Sequence, residues 1–192
     1  MKSAFKKALS IFFVIFILPI YVLYIFNMLL FKGKSFSGFS QFLSLIPGKI
    51  GSYCRIGFYR LTMTYCHDEC VIGFATLFSQ QDTEIGKGVY IGPQCNIGMC
   101  RIGDNSLIAS GVHIMSGSMQ HNFDDLDNPI QQQGGHYSKI EIGEDCWIGN
   151  GSLIMANIGK KCIIGAGSVV TKDVEDYSIM VGNPAKLIKK RH

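Results

Sequence analysis

A short aliphatic residue followed by glycine recurs at intervals near six residues along two stretches of this chain. Examples are Ile85-Gly86, Ile91-Gly92 and Ile97-Gly98, and later Ile142-Gly143 and Ile148-Gly149. This spacing matches neither the 3.6-residue period of an amphipathic helix nor the two-residue period of a strand. Each unit is therefore expected to be one piece of a stacked solenoid, in which neighbouring units bury a common core.

The repeat predicts which side chains fill that core. One residue of each unit should point inwards, and the glycine that follows it should permit a tight corner, often with positive φ. The predicted inward positions before the long interruption are Ile72, Phe78, Ile85, Ile91, Ile97, Ile102, Ile108 and Ile114, and those after it are Ile142, Ile148, Ile154, Ile158, Ile164 and Val170.

Blocks in the second half of the chain carry a resemblance to a known family. They are the run from Ile142 to Gly149, the run from Ile164 to Asp173, and Val181-Gly182-Asn183-Pro184-Ala185-Lys186. With the six-residue repeat, they closely resemble the hexapeptide-repeat acyltransferases over about residues 70 to 191. The resemblance implies a mainly β fold, a left-handed parallel β-helix, assembled as a homotrimer that binds acyl-coenzyme A between adjacent subunits.

The N-terminus differs from the rest of the chain because residues 8–31 carry no charge. A helix of that length reaches across a hydrocarbon core of roughly 30 Å. The segment lacks a small-x-small cleavage signal, so we expect it to remain in the mature protein. Pro19 would kink the helix. A single tilted span and an anchor that re-enters the same leaflet both stay open, beside a buried soluble helix.

The composition therefore divides the chain into four predicted regions. An apolar membrane segment is followed by an amphipathic helical cap, then by the β-helix with one long polar loop, and last by a basic tail. These regions are residues 1–34 for the membrane segment, 35–69 for the cap, 70–182 for the β-helix with its loop at 116–139, and 183–192 for the tail.

Charge and cysteine content bound the location of the protein. A net charge of +4 does not indicate nucleic-acid binding, and basic residues such as Lys32 and Lys34 gather near the ends of the chain. There they can meet phosphates or anionic lipid. Seven cysteines without a CxxC pair indicate a reducing compartment and a packing role. We expect the inner membrane, with the catalytic domain facing the cytoplasm.

The loop at 116–139 is the one long break in the repeat, and such inserts are commonly functional. His121 lies near its start, where the resemblance implies the family's catalytic histidine. A neutral imidazole can take the proton from a hydroxyl as it attacks a thioester, so neither a serine nor a cysteine nucleophile is needed.

The resemblance also implies contacts for the acyl donor. The backbone N–H of Asn150 would donate to the oxyanion of the tetrahedral intermediate. Three residues would line the path of the pantetheine arm, and two lysines would lie near the nucleotide phosphates. The candidate donor contacts are Asn150, Ala166, Thr171, Lys172, Lys186 and Lys189.

The candidate acceptor contacts are Asn96, Asp124 and Asp125. Either aspartate could orient His121, or both could simply shape a turn. The coil around Asn96 lacks the aspartate found in family members that act on free saccharides. The loop is more similar to that of acetyltransferases of exopolysaccharide and surface-glycan pathways.

The sequence therefore predicts an O-acetyltransferase that moves acetyl from acetyl-CoA to a surface polysaccharide or lipid-linked sugar, with no metal. Open alternatives are a sugar N-acetyltransferase, an antibiotic acetyltransferase and a non-catalytic membrane-tethered trimeric scaffold. A zinc carbonic anhydrase of the same fold needs three histidine ligands. The spacings of His113, His121 and His136 do not match that ligand set.

Overall fold

The computed structural model describes residues 2–31 and 35–191. The predicted basic flank at Lys32 and Lys34 lies outside these residues. Within the described ranges, three helices precede the strands: α1 at Lys2–Leu30, α2 at Phe36–Ser44 and α3 at Gly48–Thr62.

Short strands, most of them two residues long, make up the rest of the fold. Their bounds are β1 Tyr65–Cys66, β2 Val71–Ile72, β3 Leu77–Phe78, β4 Glu84–Ile85, β5 Tyr90–Ile91, β6 Asn96–Ile97, β7 Cys100–Ile102, β8 Leu107–Ile108, β9 His113–Ile114, β10 Ile140–Ile142, β11 Trp147–Ile148, β12 Leu153–Ile154, β13 Ile163–Ile164, β14 Val169–Val170, β15 Ser178–Val181 and β16 Lys186–Lys190.

The strands form three sheets, named A, B and C here. Sheet A has the order β1-β4-β7-β10, sheet B has β2-β5-β8-β11-β13-β15 followed by antiparallel β16, and sheet C has β3-β6-β9-β12-β14. The chain visits A, B and C in turn, and each strand pairs in parallel with its counterpart one coil away. This winding is a parallel β-helix, which confirms the predicted hexapeptide-repeat fold.

The core lies on the axis of the solenoid. All fourteen predicted inward positions are at most 2% exposed, which confirms them. They stack in columns, as in sheet B, where Ile91 pairs with Ile108 and Ile108 with Ile148. Cys95 and Cys146 are also buried, and both are free thiols, consistent with a packing role.

The glycine of each Ile-Gly pair is required for a different reason from the predicted one. Gly143 and Gly149 do not have positive φ, which occurs instead two residues later, at Asp145 and Gly151. A Cβ on Gly149 would lie 2.5 Å from the backbone nitrogen of Ala166 in the next coil. The close approach of neighbouring coils, and not the corner conformation, excludes a side chain at these glycines.

Helices α2 and α3 cover the open end of the first coil. Arg55 in α3 is fully buried and donates hydrogen bonds only to backbone carbonyls. Its guanidinium reaches Leu43 at 3.1 Å and Ile46 at 2.8 Å near the end of α2, and Ile72 of β2 at 2.9 Å. This buried cation therefore ties both cap helices to the solenoid.

Helix α1 continues through Pro19 and packs on α3 and α2. Its buried residues are Ser10 and the larger Phe13, Ile17 and Tyr24. The stretch Lys6–Leu30 is long and apolar enough to cross a membrane, with a mean hydropathy of 2.7. Only 17% of its most apolar window is buried within the chain, so most of the helix surface is exposed and apolar.

Candidate active site

The polar loop projects from the corner between sheets C and A, between Ile114 of β9 and Ile140 of β10. Its two arms run side by side and form a stem. Backbone N–H groups of Ser138, His136 and Asn122 donate to the carbonyls of Ser116, Met119 and Gly134, respectively, at 2.8 to 3.0 Å. The stem holds the backbone on both sides of His121.

His121 lies on this stem with its side chain exposed. The opposite arm passes so close that a Cβ on Gly135 would collide with the carbonyl of Gln120 and lie 2.8 Å from the His121 nitrogen. Glycine at 135 thus lets the second arm approach the backbone that carries the histidine.

The carboxylates near His121 stabilise the loop tip. Asp125 Oδ1 accepts from the N–H of Asp127 at 2.9 Å, and its Oδ2 accepts from Asn128 Nδ2 at 2.7 Å. The Asn128 side chain and these backbone donors lower the pKa of Asp125. Within the described chain, no hydrogen bond joins Asp124 or Asp125 to His121, so the turn-shaping interpretation is the one that the geometry favours for Asp125.

A cluster of two ion pairs holds the base of the loop. Lys139 Nζ lies 2.5 Å from Asp82 Oδ1 and 2.7 Å from Glu84 Oε1, and the lysine side chain is 22% exposed. Burial alone would lower the pKa of Lys139, but its hydrogen bonds to the two carboxylates outweigh burial and raise it. The same hydrogen bond lowers the pKa of Asp82. This cluster was not predicted, because Lys139 lies more than fifty positions from both carboxylates in the sequence.

An open cavity of about 260 Å³ lies beside the loop base. Two predicted donor contacts, Thr171 and Lys172, line it. Ser138, Asn157 and Asp173 line it too and were not predicted. Asp173 Oδ1 accepts from the Asn157 N–H at 2.9 Å, so these polar groups are held by the neighbouring coil. The hydroxyl, amide, ammonium and carboxylate groups that line it can exchange hydrogen bonds with a polar ligand.

Two other predicted donor contacts lie at a different corner. Asn150 and Ala166 occupy neighbouring coils between sheets B and C, and both are exposed. The Asn150 carbonyl accepts from the Gly167 N–H at 2.8 Å. Its own N–H makes no hydrogen bond within the described residues and is available as a donor. Within one chain, Asn150 and His121 therefore lie at different corners of the solenoid.

The remaining predicted contacts lie on the outer faces of the sheets. Lys186 and Lys189 are exposed on β16, at the edge of sheet B. Asn96 of β6 is exposed and in register with His113 of β9 on sheet C, the sheet that leads into the loop. His113 is not among the predicted acceptor contacts, and its separation of one coil from Asn96 is the only sequence signal for this pairing.

No metal site is evident at this corner. Across residues 2–31 and 35–191, no group of three or more histidine, cysteine, aspartate or glutamate side chains is arranged to hold a metal ion.

Comparison with known proteins gives the class of this chain. Residues 82–116 match the family model of bacterial transferase hexapeptides with six repeats, and residues 139–172 match the hexapeptide repeat of succinyl-transferase. A chloramphenicol acetyltransferase of Klebsiella aerogenes is 32% identical over 176 residues, which cover 84% of this chain and 74% of that protein. The chain therefore belongs to the hexapeptide-repeat acetyltransferase family.

Two further comparisons agree with this class. A probable acetyltransferase of Mycobacterium tuberculosis is 40% identical over 92 residues, which cover 47% of this chain and only 30% of that longer protein. The crystal structure of a maltose O-acetyltransferase from Clostridium difficile 630 aligns with a TM-score of 0.75 at 26% identity, covering 85% of this chain and 89% of that one. Fold and family are thus both established, and the predicted site roles stay predictions.

Proposed function

We propose that this protein transfers acetyl from acetyl-CoA to a hydroxyl of a surface polysaccharide or lipid-linked sugar, at the cytoplasmic face of the inner membrane. The observation that carries the proposal is His121 on a braced loop beside the cavity lined by Thr171 and Lys172. The chain's similarity to acetyltransferases supports the donor. Its similarity to a maltose O-acetyltransferase supports a sugar hydroxyl as acceptor.

The chemistry needs one base and one oxyanion donor. The neutral imidazole of His121 takes the proton of the acceptor hydroxyl as its oxygen attacks the thioester carbonyl carbon. The Asn150 N–H donates to the resulting oxyanion. When the intermediate collapses, the carbon–sulfur bond breaks, and the leaving sulfur of coenzyme A takes the proton from the His121 imidazolium. The products are the acetyl ester and the free thiol of coenzyme A.

The proposed active site lies between two copies in a homotrimer. His121 and Thr171 would come from one copy, and Asn150 and Ala166 from its neighbour, because these pairs occupy different corners of one solenoid. An apolar column on the outer face of sheet B supports such an assembly, since exposed apolar strips of this size commonly mark interfaces. Its members are Val71, Tyr90, Leu107 and Trp147, which are 42 to 52% exposed and in register.

The membrane location rests on α1, whose exposed surface is apolar. An acceptor with a lipid tail would lie in the same membrane surface as the enzyme, so the two would meet more often than they would in free solution.

The basic tail, with Lys186 and Lys189, would contact the phosphates of the donor nucleotide.

A second candidate acceptor is chloramphenicol. The relative from Klebsiella aerogenes, which the chain matches over most of its length, is named for that activity. An antibiotic in solution gives no reason for an apolar helix such as α1, which is why we favour the glycan.

The test is the release of coenzyme A thiol from acetyl-CoA by the purified full-length protein, with surface glycans, lipid-linked sugars or chloramphenicol as acceptor. We expect His121→Ala to lower the rate with the preferred glycan by about 10² to 10⁴-fold, the usual contribution of a general base. The matched control, His136→Ala, changes an exposed histidine on the other arm of the stem and should keep the wild-type rate. An unchanged rate in His121→Ala would remove the catalytic assignment. Thiol release with chloramphenicol alone would favour the antibiotic acceptor, and no release with any acceptor would favour the scaffold.

A further inference from the structure

Helix α1 is fastened to the folded domain along its middle. Three contacts between Ser10 and Tyr24 span about 21 Å of a helix that rises about 1.5 Å per residue. They are a hydrogen bond from Arg60 to Ser10 Oγ at 2.7 Å, a stack of Phe13 on Tyr53 with ring centroids 5.1 Å apart, and a hydrogen bond from Gln81 Nε2 to Tyr24 Oη at 2.6 Å. One turn further on, Asn27 Oδ1 accepts a hydrogen bond from Ser35 Oγ.

This attachment is incompatible with a helix that crosses the bilayer. Crossing takes about 20 residues, so the attached stretch from Ser10 to Tyr24 would lie in the hydrocarbon core. Because Arg60 and Gln81 are bonded to this stretch, they would also have to lie in the hydrocarbon core, together with α3 and part of the first coils. Charged side chains and unpaired backbone are strongly disfavoured at that depth. The helix also runs unbroken through Pro19, so it does not turn back on itself.

The opposite side of α1 is apolar from Ile11 to its C-terminal end. Every exposed residue from position 11 to position 31 is hydrophobic or proline. Lys6 and Lys7 are exposed at the N-terminal end, where they can meet lipid headgroups. The large exposed members are Ile11, Phe12, Ile15, Phe16, Leu18, Val22, Leu23, Ile25, Phe26, Leu29, Leu30 and Phe31.

We propose that α1 lies in the plane of the membrane, with this exposed side in one leaflet and its other side held by α3 and α2. The position of the helix supports a lipid occupant, because α1 packs on the cap helices, which in turn pack on the first coil. Its apolar side therefore faces away from the solenoid. Protein interfaces carry about ten hydrogen bonds and a polar rim, whereas this surface offers no polar side chain for about 30 Å. A helix of this kind is typical of in-plane membrane anchors.

The in-plane orientation brings the membrane to the edge of the molecule that carries the loop. Gln81, which holds Tyr24, is followed by Asp82, and Asp82 binds Lys139 at the loop base. Neighbouring coils are about 4.8 Å apart, so the loop leaves the solenoid within about 10 Å of that corner. A sugar held at the headgroups by a lipid tail would lie on the same edge as His121. The inference rests on the proposed membrane location and not on the proposed chemistry.

Flotation with vesicles of phosphatidylcholine and phosphatidylglycerol tests whether this surface binds lipid. The wild-type full-length protein should float with the vesicles. The variant Phe16→Gln/Leu23→Gln/Phe26→Gln should lose at least tenfold in binding. The matched control, Leu187→Gln/Ile188→Gln, changes exposed apolar residues on β16 at the other end of the solenoid and should float like the wild type. A wild-type protein that stays with the soluble fraction, or a control that loses as much binding as the triple variant, would overturn the proposal.

Labelling from either side of the membrane distinguishes an in-plane helix from a span and does not depend on the triple variant. Lys6→Cys and Phe31→Cys introduce thiols at the two ends of α1, and the native cysteines in the described chain are buried. An impermeant maleimide should modify both variants in inside-out membrane vesicles and neither in right-side-out vesicles. Modification of the two ends from opposite sides would show that α1 spans the bilayer. If His121→Ala kept full activity, the proposed chemistry would fail while these results stood.

Discussion

The Nζ atom of Lys139 lies 2.7 Å from Oε1 of Glu84. Lys139 directly precedes β10, whereas Glu84 lies in β4, two strands away in the sheet-A order β1-β4-β7-β10. Lys139 is the last residue of the loop, so this contact fixes the loop base across more than one coil. Asp82 joins the same ammonium group and accepts a hydrogen bond from Thr64. The orientation of the loop thus depends on side chains that belong to the second coil.

Asp82→Asn should make the protein less sensitive to mild acid. The Lys139 hydrogen bond lowers the pKa of Asp82 below its ordinary value of 3.8, so its stabilisation is complete above that value and is lost as pH falls through the lower folded value. At neutral pH, the substitution should cost at most about 1 kcal/mol, because the pair is partly exposed. Urea denaturation midpoints measured from pH 6 to pH 2 should fall less steeply in the variant, with the difference confined to the range below about pH 4.

The matched control for this experiment is Glu69→Gln. Glu69 pairs with Lys87 at 3.9 Å, and both side chains are more than half exposed. Its midpoints should follow the wild type at every pH. Equal acid sensitivity in Asp82→Asn and the wild type would mean that the Lys139 cluster does not contribute to stability.

Mixing two inactive variants should restore activity if each site lies between copies. His121→Ala would remove the proposed base at one corner of the solenoid, and Ala166→Phe would obstruct the proposed donor path at the other corner. In a trimer assembled at random from equal amounts, about a quarter of the sites combine an intact His121 with an intact Ala166 from the neighbour. Thiol release after co-refolding should therefore reach about a quarter of the wild-type rate. A mixture as inactive as its components would mean that each chain carries a whole site.

Two glycine substitutions separate coil packing from corner conformation. Gly149→Ala would bring a Cβ to 2.5 Å from the Ala166 nitrogen, whereas Gly167 has a φ of +67° and open space around its missing Cβ. Gly167→Ala should cost about 1 kcal/mol for the left-handed conformation. Gly149→Ala should cost about 3 kcal/mol or more, because the neighbouring coil backbone must shift. Calorimetric melting temperatures should rank the wild type above Gly167→Ala and Gly167→Ala above Gly149→Ala; the reverse order of the two variants would contradict the close-approach explanation.

Arg55→Met should detach the cap from the solenoid. The substitution removes the buried donor that the carbonyls of Leu43, Ile46 and Ile72 share, at a cost of about 3 kcal/mol or more. Thermal unfolding should therefore begin at least about 6 °C lower. Arg101→Met removes an exposed arginine 3.7 Å from Glu84 and should change the melting temperature by less than about 2 °C. Equal effects of the two substitutions would show that the buried arginine does not hold the cap.

The core of the β-helix could be predicted because burial leaves a direct mark on the sequence. A position that faces the axis must be apolar in every coil, so Ile85, Ile91 and Ile97 recur every six residues. Residues one coil apart, such as Ile91 and Ile108, then stack in the structure. The role of the glycines was harder to predict, because two separate causes select for glycine in a solenoid. Close approach of the next coil acts at Gly149, and positive φ acts at Gly151.

Candidate site residues could be proposed from the sequence only where a residue carries its chemistry in its type and local context. His121 is such a residue, and so are Thr171 and Lys172 through the resemblance, and their roles stay predictions. The Lys139 cluster and the neighbouring positions of Asn96 and His113 depend on the number of residues in each coil, which one long loop and several irregular steps obscure. The orientation of α1 could not be predicted from its composition, since a spanning and an in-plane helix can be equally apolar. Its contacts with Arg60 and Gln81 distinguish the two.

The stem of the loop separates the part of the chain that carries His121 from the part that is free to change in length. Backbone pairing extends to Asn122 and Gly134, and the hydrogen bonds beyond it join residues 125 to 133 mainly to one another. Insertions or deletions in the tip therefore leave the histidine backbone where it is. Evolution can therefore exchange the tip alone, while the backbone of His121 and the cavity beside the loop base are inherited unchanged.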